Sequence, residues 1–297
     1  MLKPRTALLV VNANSRQGRD LLPVAVSELR AHGIQPVHRD CASREALSGL
    51  IEAEGRDVDL VAVGGGDGTL NAAAEGVIAL GRPLGILPMG TANDLARTLG
   101  IPPDISSAAQ IIAAGATREI DLGLVNDRPF FNVASIGLSA ELAQELTGEI
   151  KRRYGRLGYA FTALRILSRA RPFRAVIESE TEKARVLTLQ IAVGNGLYYG
   201  GGNAVERTAA IDDQRLDLYS LEVRRAWKLA LMARSFRSGE HGAWDEVRAI
   251  RAEAFTISTR RPRPVNADGE IVTQTPARFS LRPHAVTVFA PRETATA

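Results

Sequence analysis

The chain has 297 residues, 45% hydrophobic and 24% charged, with 37 basic side chains against 33 acidic ones and a formal net charge of +4. That length suffices for two domains with real cores, and the longest apolar runs fall far short of the ~20 residues that cross a bilayer, so no segment is expected to span a membrane. Cys41 is the only cysteine, which excludes an internal disulfide and any cysteine-based zinc cluster, and a short first apolar segment without a cleavage site points to the cytoplasm.

Nearly all the basic residues are Arg, which grips phosphate in bidentate fashion, so anionic partners are expected. No helix-turn-helix, zinc-finger or aromatic RNA-binding pattern is present, and nucleic acid is set aside. Residues 7–11 read as a buried strand, followed by the polar turn NANSRQG (12–18) and an amphipathic helix over 19–32. Asn12, Asn14 and Ser15 suit an Asx turn that caps this helix. A second strand is expected at 35–39 and a second helix at 43–54, opened by a Ser43 cap with Glu45 nearby.

The chain is organised around residues 58–80. Val58, Leu60, Val61, Ala62 and Val63 make an almost unbroken apolar run of the kind a parallel strand covered on both faces shows, and it stops on Gly64, Gly65 and Gly66. Residues 70–80, with Glu75 as the only charge, read as a buried helix. Glycines without a Cβ let the backbone come close to a ligand, and the first amides of a helix favour an anion. Asp67 would repel a phosphate there unless a cation stood between them, and Mg²⁺ resolves the conflict. A tight strand-to-helix turn that binds nothing has the same letters. The pattern is neither GxGxxG, since Thr69 stands at the last glycine, nor a P-loop. Residues 84–87 and the turn PMGTANDLARTLG (88–100) repeat the design, with Thr91, Asn93 and Asp94 at the start of a helix. Two neighbouring strands that end in turns with an Asp apiece form one crevice.

GGGDGTLN (64–71) followed by PMGTANDLA (88–96) resembles the catalytic domain of the diacylglycerol kinase, sphingosine kinase and bacterial lipid kinase superfamily, in its compact bacterial branch. NAD kinases and phosphofructokinases share the GGDGT loop and not the second segment. The resemblance implies ATP and Mg²⁺ as cofactors, with Gly64, Gly65, Gly66, Asp67, Gly68, Thr69, Leu70, Asn71, Gly90, Thr91, Asn93 and Asp94 around the nucleotide. It also implies a nucleotide contact at the first turn, which the family writes roughly NPxSG. Ala13 and Arg16 replace the proline and the glycine, while Asn12, Asn14 and Ser15 carry over. A family Thr after the second strand falls near Asp40 or Cys41.

Residues 105–115 read as another helix and 118–125 as another strand, so strands and helices alternate over residues 1 to about 120. The implied fold class is α/β plus β: a doubly wound parallel-sheet domain whose ligand sits at the carboxyl ends of the strands, then an antiparallel β-sandwich domain. The expected division is a nucleotide-binding domain at 1–125 and a β-rich lipid-binding domain at 126–297, with the last residues returning to the first. β runs are expected at 130–136, 175–178, 186–193, 216–223, 254–258, 265–267, 278–281 and 286–290. The turns NVASIGLSAEL (132–142) and VGNGLYYGGG (193–202) resemble those of the family's sandwich domain. Asp121 lies inside an apolar run and needs a partner. The resemblance places it in a metal-centred network with Asp67 and Asp94; satisfaction by backbone amides is the alternative.

Residues 150–175 hold eight basic residues and no acid, interleaved with Tyr154, Tyr159 and Phe161. Such a segment can rest in a headgroup layer, or can be a solvated basic face with its apolar stripe on the core. AAIDDQRLDLYSLE (209–222) resembles the family's PxAxxDDGxLDL turn, which implies a structural Mg²⁺ on the Asp213 side chain and the carbonyls of Ala210 and Arg215. Gln214 stands where the family prefers Gly, at a cost of about 1 kcal/mol if that turn needs positive φ. NADGE (266–270) reads as a hairpin turn. The resemblance makes Asp268 the general base, with Glu270 the second choice, on the same side two residues later. Together with Asp67 these are the expected catalytic residues of an ATP- and Mg²⁺-dependent lipid kinase, with diacylglycerol as the first substrate. A kinase of a soluble nucleotide such as NAD, or a non-catalytic nucleotide-responsive membrane adaptor, are the alternatives. The expected partner is a lipid at a membrane surface, with peripheral association, and a homodimer stays open.

Overall fold

The computed structural model describes residues 5–12, 16–41, 43–145, 165, 169–196, 198–199, 203–204, 210–223 and 244–292. Asn14, Ser15, the tail 293–297 and nearly all of the basic aromatic segment lie outside the described residues. The chain divides into two compact units, Met1–Leu122 with Pro283–Ala297, and Gly123–Arg282.

In the first unit β1 (Arg5–Val11), α1 (Arg16–Ala31), β2 (Ile34–Asp40), α2 (Leu47–Glu54), β3 (Leu60–Gly65), α3 (Asp67–Leu80), β4 (Leu84–Pro88), α4 (Asp94–Thr98) and α5 (Ile105–Ala114) lead into β5 (Thr117–Val125). The strands pair in parallel in the order β2-β1-β3-β4, and β3 is buried at every residue, as its unbroken apolar run requires. The chain steps one way from β1 to β2 and the other way from β2 to β3. With right-handed crossovers the two steps put α1 and α2 on opposite faces of the sheet. α1 packs with α5 and α2 with α3, the doubly wound arrangement. Its direction reverses between β1 and β3, and ligands bind such sheets outside the carboxyl ends of the strands at that point.

Local chemistry sets the helix bounds. α3 ends on Gly81, in left-handed conformation with its amide on the Val77 carbonyl. α5 opens on Asp104, whose Oδ1 accepts from the Ser107 amide at 2.8 Å, and that bond holds the carboxyl below its ordinary pKa. α2 begins at Leu47 rather than at residue 43: Ser43 Oγ accepts from the Ala46 amide at 3.3 Å and Leu47 N donates to Arg44 O, so the serine caps a turn ahead of the helix. α2 and α3 meet where Ser48 Oγ donates to Ala72 O at 2.7 Å and accepts from Gly76 N at 3.1 Å.

The second unit continues with β6 (Arg128–Phe130), β7 (Val133–Gly137), α6 (Leu138–Glu145), β8 (Phe173–Glu178), β9 (Lys183–Thr188), β10 (Gln190–Gly194), β11 (Tyr198–Tyr199), β12 (Asn203–Ala204), β13 (Leu216–Leu221), β14 (Val247–Ala252), β15 (Phe255–Thr259), β16 (Pro264–Ala267), β17 (Glu270–Gln274) and β18 (Ala277–Phe289). An antiparallel sheet runs β14-β13-β10-β7-β16-β17. The order β18-β15-β8-β9 forms the opposing layer, also antiparallel. Ile136, Ile191, Leu218 and Val265 from the first meet Ile177, Val186, Ile257 and Phe279 from the second in one core, which makes a β-sandwich.

Several expectations about strands are corrected. The run 130–136 is two strands, β6 and β7, parted at Phe131 and Asn132, where the chain passes from pairing with β5 to pairing with β10 and β16. The run 186–193 is two strands, because Thr188 Oγ1 donates to the carbonyls of Gln190 and Leu221 and the chain there leaves β9 for β10 in the other sheet. The runs 278–281 and 286–290 are one strand, β18, which pairs with β15 through Phe279 and in parallel with β4 through Val288. β14 was not expected, since its exposed positions hold Arg248 and Arg251 among few large apolar residues. No helix among the described residues is long and apolar enough to cross a membrane.

Candidate active site

β3 and β4 end side by side, with Gly65 opposite Pro88, so the loops that follow them meet. The Met89 amide donates to the Gly65 carbonyl at 2.9 Å. A Cβ on Gly90 would stand 2.5 Å from Gly66 Cα, so the two loops touch only because both residues are glycine. Asn93, at φ 51°, closes the second loop on itself: its Oδ1 accepts from the Gly90 amide at 2.8 Å and its Nδ2 donates to the Gly90 carbonyl at 2.9 Å. Asp67 Oδ1 accepts from the Leu95 amide at 3.0 Å, which ties the start of α3 to the start of α4. Asn93 and Asp67, expected to face a ligand, are thus also the residues that build the double loop.

At the carboxyl ends of β1 and β2 lies a cavity of about 130 Å³ whose walls include Val11, Asn12, Cys41, Ser43, Arg44 and Thr69. The Asn12 amide donates to Gly64 O at 3.1 Å and its Nδ2 to Thr69 Oγ1 at 3.4 Å, so the first turn is fastened to the glycine loop. Cys41 Sγ donates to Ser43 O at 2.9 Å. Arg44 was not singled out from the sequence. A Cβ on Gly68 would meet its Nη1 at 3.1 Å, which sets a guanidinium against the first turn of α3, where the helix dipole already favours an anion. The only signal for it was its place one residue after the expected Ser43 cap.

The three carboxylates expected to share a metal do not gather. Among the described residues no three His, Cys, Asp or Glu side chains could together hold a metal ion. Asp67 engages the Leu95 amide, Asp94 is buried at the start of α4, and Asp121, 1% exposed, accepts from the His284 amide at 2.9 Å. What is present fits a Mg²⁺ held by one or two carboxylates, with phosphate oxygens and water completing the octahedron. Asn71 Oδ1, buried and without a donor, adds an acceptor suited to a metal-bound water or a hydroxyl.

In the second unit Asp268, at φ 46°, occupies the turn between β16 and β17. Its Oδ2 accepts from the Phe131 amide at 2.7 Å, and its Oδ1 from the amides of Asn132 and Val133, each at 3.1 Å. Glu270 opens β17, half-buried. Beside them Asn266 and Ser135 stand opposite each other on β16 and β7, and Asn266 Oδ1 and Ser135 Oγ are buried without a partner.

The turn implied to hold a structural Mg²⁺ is arranged otherwise. Asp213 Oδ1 accepts from the Arg215 amide at 2.9 Å, while the Arg251 guanidinium sits on Oδ2 and lies 3.7 Å from Asp217. A cationic side chain occupies the carboxylate that the metal would need, so the set Asp213, Ala210 and Arg215 does not fit a divalent ion here. Gln214 does take positive φ, 57°.

A doubly wound sheet with paired glycine loops, followed in the chain by a β-sandwich, is a framework of phosphotransferases. The family model described as the diacylglycerol kinase catalytic domain matches residues 6–125, and that of the YegS C-terminal NAD kinase beta sandwich-like domain matches 132–290. The chain belongs to this diacylglycerol kinase and YegS-like lipid kinase family. It is 30% identical over 263 residues to the diacylglycerol kinase of Bacillus subtilis (strain 168), over 87% of this chain and 86% of that one. It is 35% identical over 218 residues to a protein of Enterobacter sp. (strain 638) named as a YegS-like lipid kinase, over 71% and 73% of the two chains. It spans 57% of the length of protein sll0036 of Synechocystis, to which it is 28% identical. A crystal structure from Bacillus anthracis str. Sterne superposes with a TM-score of 0.81 at 27% identity, covering 98% of this chain and 97% of that one.

Proposed function

We propose that the protein is an ATP- and Mg²⁺-dependent kinase that transfers the γ-phosphate to a lipid hydroxyl, with diacylglycerol as the first substrate. The observation that carries this reading is the contact of Gly66 with Gly90, which brings two glycine turns and the N-terminus of α3 together at the end of adjacent parallel strands. Phosphoryl transfer asks a protein mainly for positioning and charge stabilisation. Mg²⁺, when bound, neutralises charge on the β- and γ-phosphates.

Gly64, Gly65, Gly66, Gly68, Thr69, Leu70 and Asn71 would supply backbone and side-chain donors to the phosphates, with Gly90 and Thr91 closing the second side. Asn12, with Asn14 and Ser15, would bind the nucleotide at the first turn, and Arg44 would place its guanidinium on a phosphate. Asp67 and Asp94 would hold the metal directly or through water. Asp268 would take the proton of the acceptor hydroxyl, and Glu270 is the second choice. The first unit is thereby read as the nucleotide domain and the second as the lipid domain.

The test is incubation of the purified chain with labelled ATP and total lipid extract, followed by mass analysis of the labelled product. Phosphatidic acid is the expected product. Label transfer to NAD in the absence of lipid, with none to lipid, would overturn the reading.

A further inference from the structure

The layer β18-β15-β8-β9 buries one face in the sandwich, and the other face bears three arginines without counter-charge among the described residues. Phe173, Ala175, Ile177 and Val186 lie in the core; alternation puts Arg174, Val176, Arg185 and Leu187 on the outer side. The pairing sets Arg174 opposite Leu187, and Val176 between Arg185 and Ser258. With Arg260 they line a groove of about 580 Å³. Among the described residues Arg174, Arg185 and Arg260 make no ion pair, whereas on the same face Lys183 is paired with Glu178 at 2.6 Å. Leu187 is 47% exposed, with one of the largest exposures of any large apolar side chain described.

Three unpaired guanidinium groups around an apolar floor of Val176 and Leu187 match a surface that is phosphate outside and hydrocarbon beneath. Arg is weakly hydrated and bonds phosphate in a bidentate way, so it loses little on leaving water for a headgroup layer. Among the described residues that line the groove there is no aromatic side chain on which a nucleic-acid base could stack. We propose that this outer face of β8, β9 and β15 docks the protein on an anionic phospholipid leaflet. The proposal deepens the lipid-kinase reading and rests on it for the enzyme's need to reach a membrane; the charge argument stands on the strands alone.

The experiment is co-sedimentation of the full chain with phosphatidylcholine vesicles, with and without phosphatidylglycerol, at physiological salt. Each basic side chain near an anionic leaflet strengthens binding about five-fold, so R174Q/R185Q/R260Q binds the phosphatidylglycerol vesicles about 100-fold more weakly than wild type. The charge-matched variant R30Q/R56Q/R82Q, altered in the first unit, binds as wild type does. Both variants keep the wild-type Tm and the wild-type turnover of short-chain diacylglycerol in detergent micelles. Equal loss in the two variants, no loss in the first, or equal wild-type binding to both vesicles overturns the docking face. If wild type turns over no lipid in micelles while the vesicle pattern holds, the kinase reading fails and the docking face remains.

Discussion

The Asp67 carboxylate accepts a hydrogen bond from the Leu95 amide at 3.0 Å, so the acid of the GGGDGT loop also fixes the helix that follows the second glycine turn. One side chain thus has a building role and a proposed metal role, and two substitutions separate them. Asp67→Asn keeps an acceptor oxygen for Leu95 and removes the charge: the expected result is wild-type Tm with turnover down about 10²–10³-fold, as for loss of a charge-stabilising group. Asp67→Ala loses both, and its Tm falls as well, by an amount reflecting about 1 kcal/mol for the lost bond. Thermal melts and steady-state turnover of the two variants decide it.

The contact between Gly66 and Gly90 has no room for a methyl group. In Gly90→Ala the new Cβ meets Gly66 Cα at 2.5 Å and Asn93 Oδ1 at 2.7 Å, so the loop must shift and the Asn93 closure must open. Overpacking of this kind costs about 1–3 kcal/mol, and nucleotide binding weakens with it. The expectation is a lower Tm together with a raised KM for ATP; calorimetry and kinetics on the same preparation check both.

The alternation of strand and helix up to residue 125 was legible because the central strands β1, β3 and β4 are apolar and buried and the turns between elements carry Gly, Asn or Asp, as where β3 runs into Gly64 and Gly65. The second unit was read less well. Its sheet switch at Leu189 carries no turn residue, and a hydroxyl, Thr188, makes the connection by bonding two carbonyls. The long strand β18 was broken in the reading at Arg282, Pro283 and His284, polar letters that the structure accommodates with His284 at φ 49° and its amide on Asp121. Of the site, motif residues announced themselves, whereas Arg44 depends on a packing contact with Gly68 and Arg251 on pairing between β13 and β14, neither of which local sequence encodes.

The Arg251 guanidinium on Asp213 predicts how the second unit answers metal. In wild type, Mg²⁺ or EDTA without nucleotide leaves Tm unchanged, because nothing binds that stabilises the folded form. Arg251→Met lowers stability by about 0.5–1 kcal/mol, the scale of a half-exposed pair. Gln214→Gly raises it by a similar amount by relieving the positive φ. The double variant R251M/Q214G frees the carboxylate in a turn relaxed by glycine and should gain a Mg²⁺-dependent rise in Tm, read by calorimetry with and without the ion.

Asp104 gives a pH dependence of known sign. The Ser107 amide lowers its folded pKa below the unfolded value, so its contribution is complete above the unfolded pKa and is lost as pH falls through the folded one. Asp104→Ala therefore melts below wild type at neutral pH, and the two curves converge in acid. Asp104→Asn, which still caps α5, stays close to wild type at neutral pH and shows no such convergence. Tm against pH for the three proteins is the measurement.

Asp268 and Glu270 share the β16–β17 turn and differ in what holds them, which lets the proposed base be identified. Asp268 bonds three backbone amides, and Asn at this position turns an NH₂ group toward at least one of them, leaving a donor facing a donor. Asp268→Asn is expected to lose about 1–3 kcal/mol of stability as well as turnover. Stability loss alone would explain a dead enzyme at high temperature, so turnover is compared well below the variant's Tm and over a pH series. If Asp268 takes the proton, the loss of kcat at low temperature is at least about 100-fold and KM for the lipid changes little. Glu270→Gln then keeps most of its kcat. Should Glu270→Gln instead abolish turnover at wild-type Tm while Asp268→Asn retains it in the cold, the base is Glu270 and Asp268 is the residue that shapes the turn.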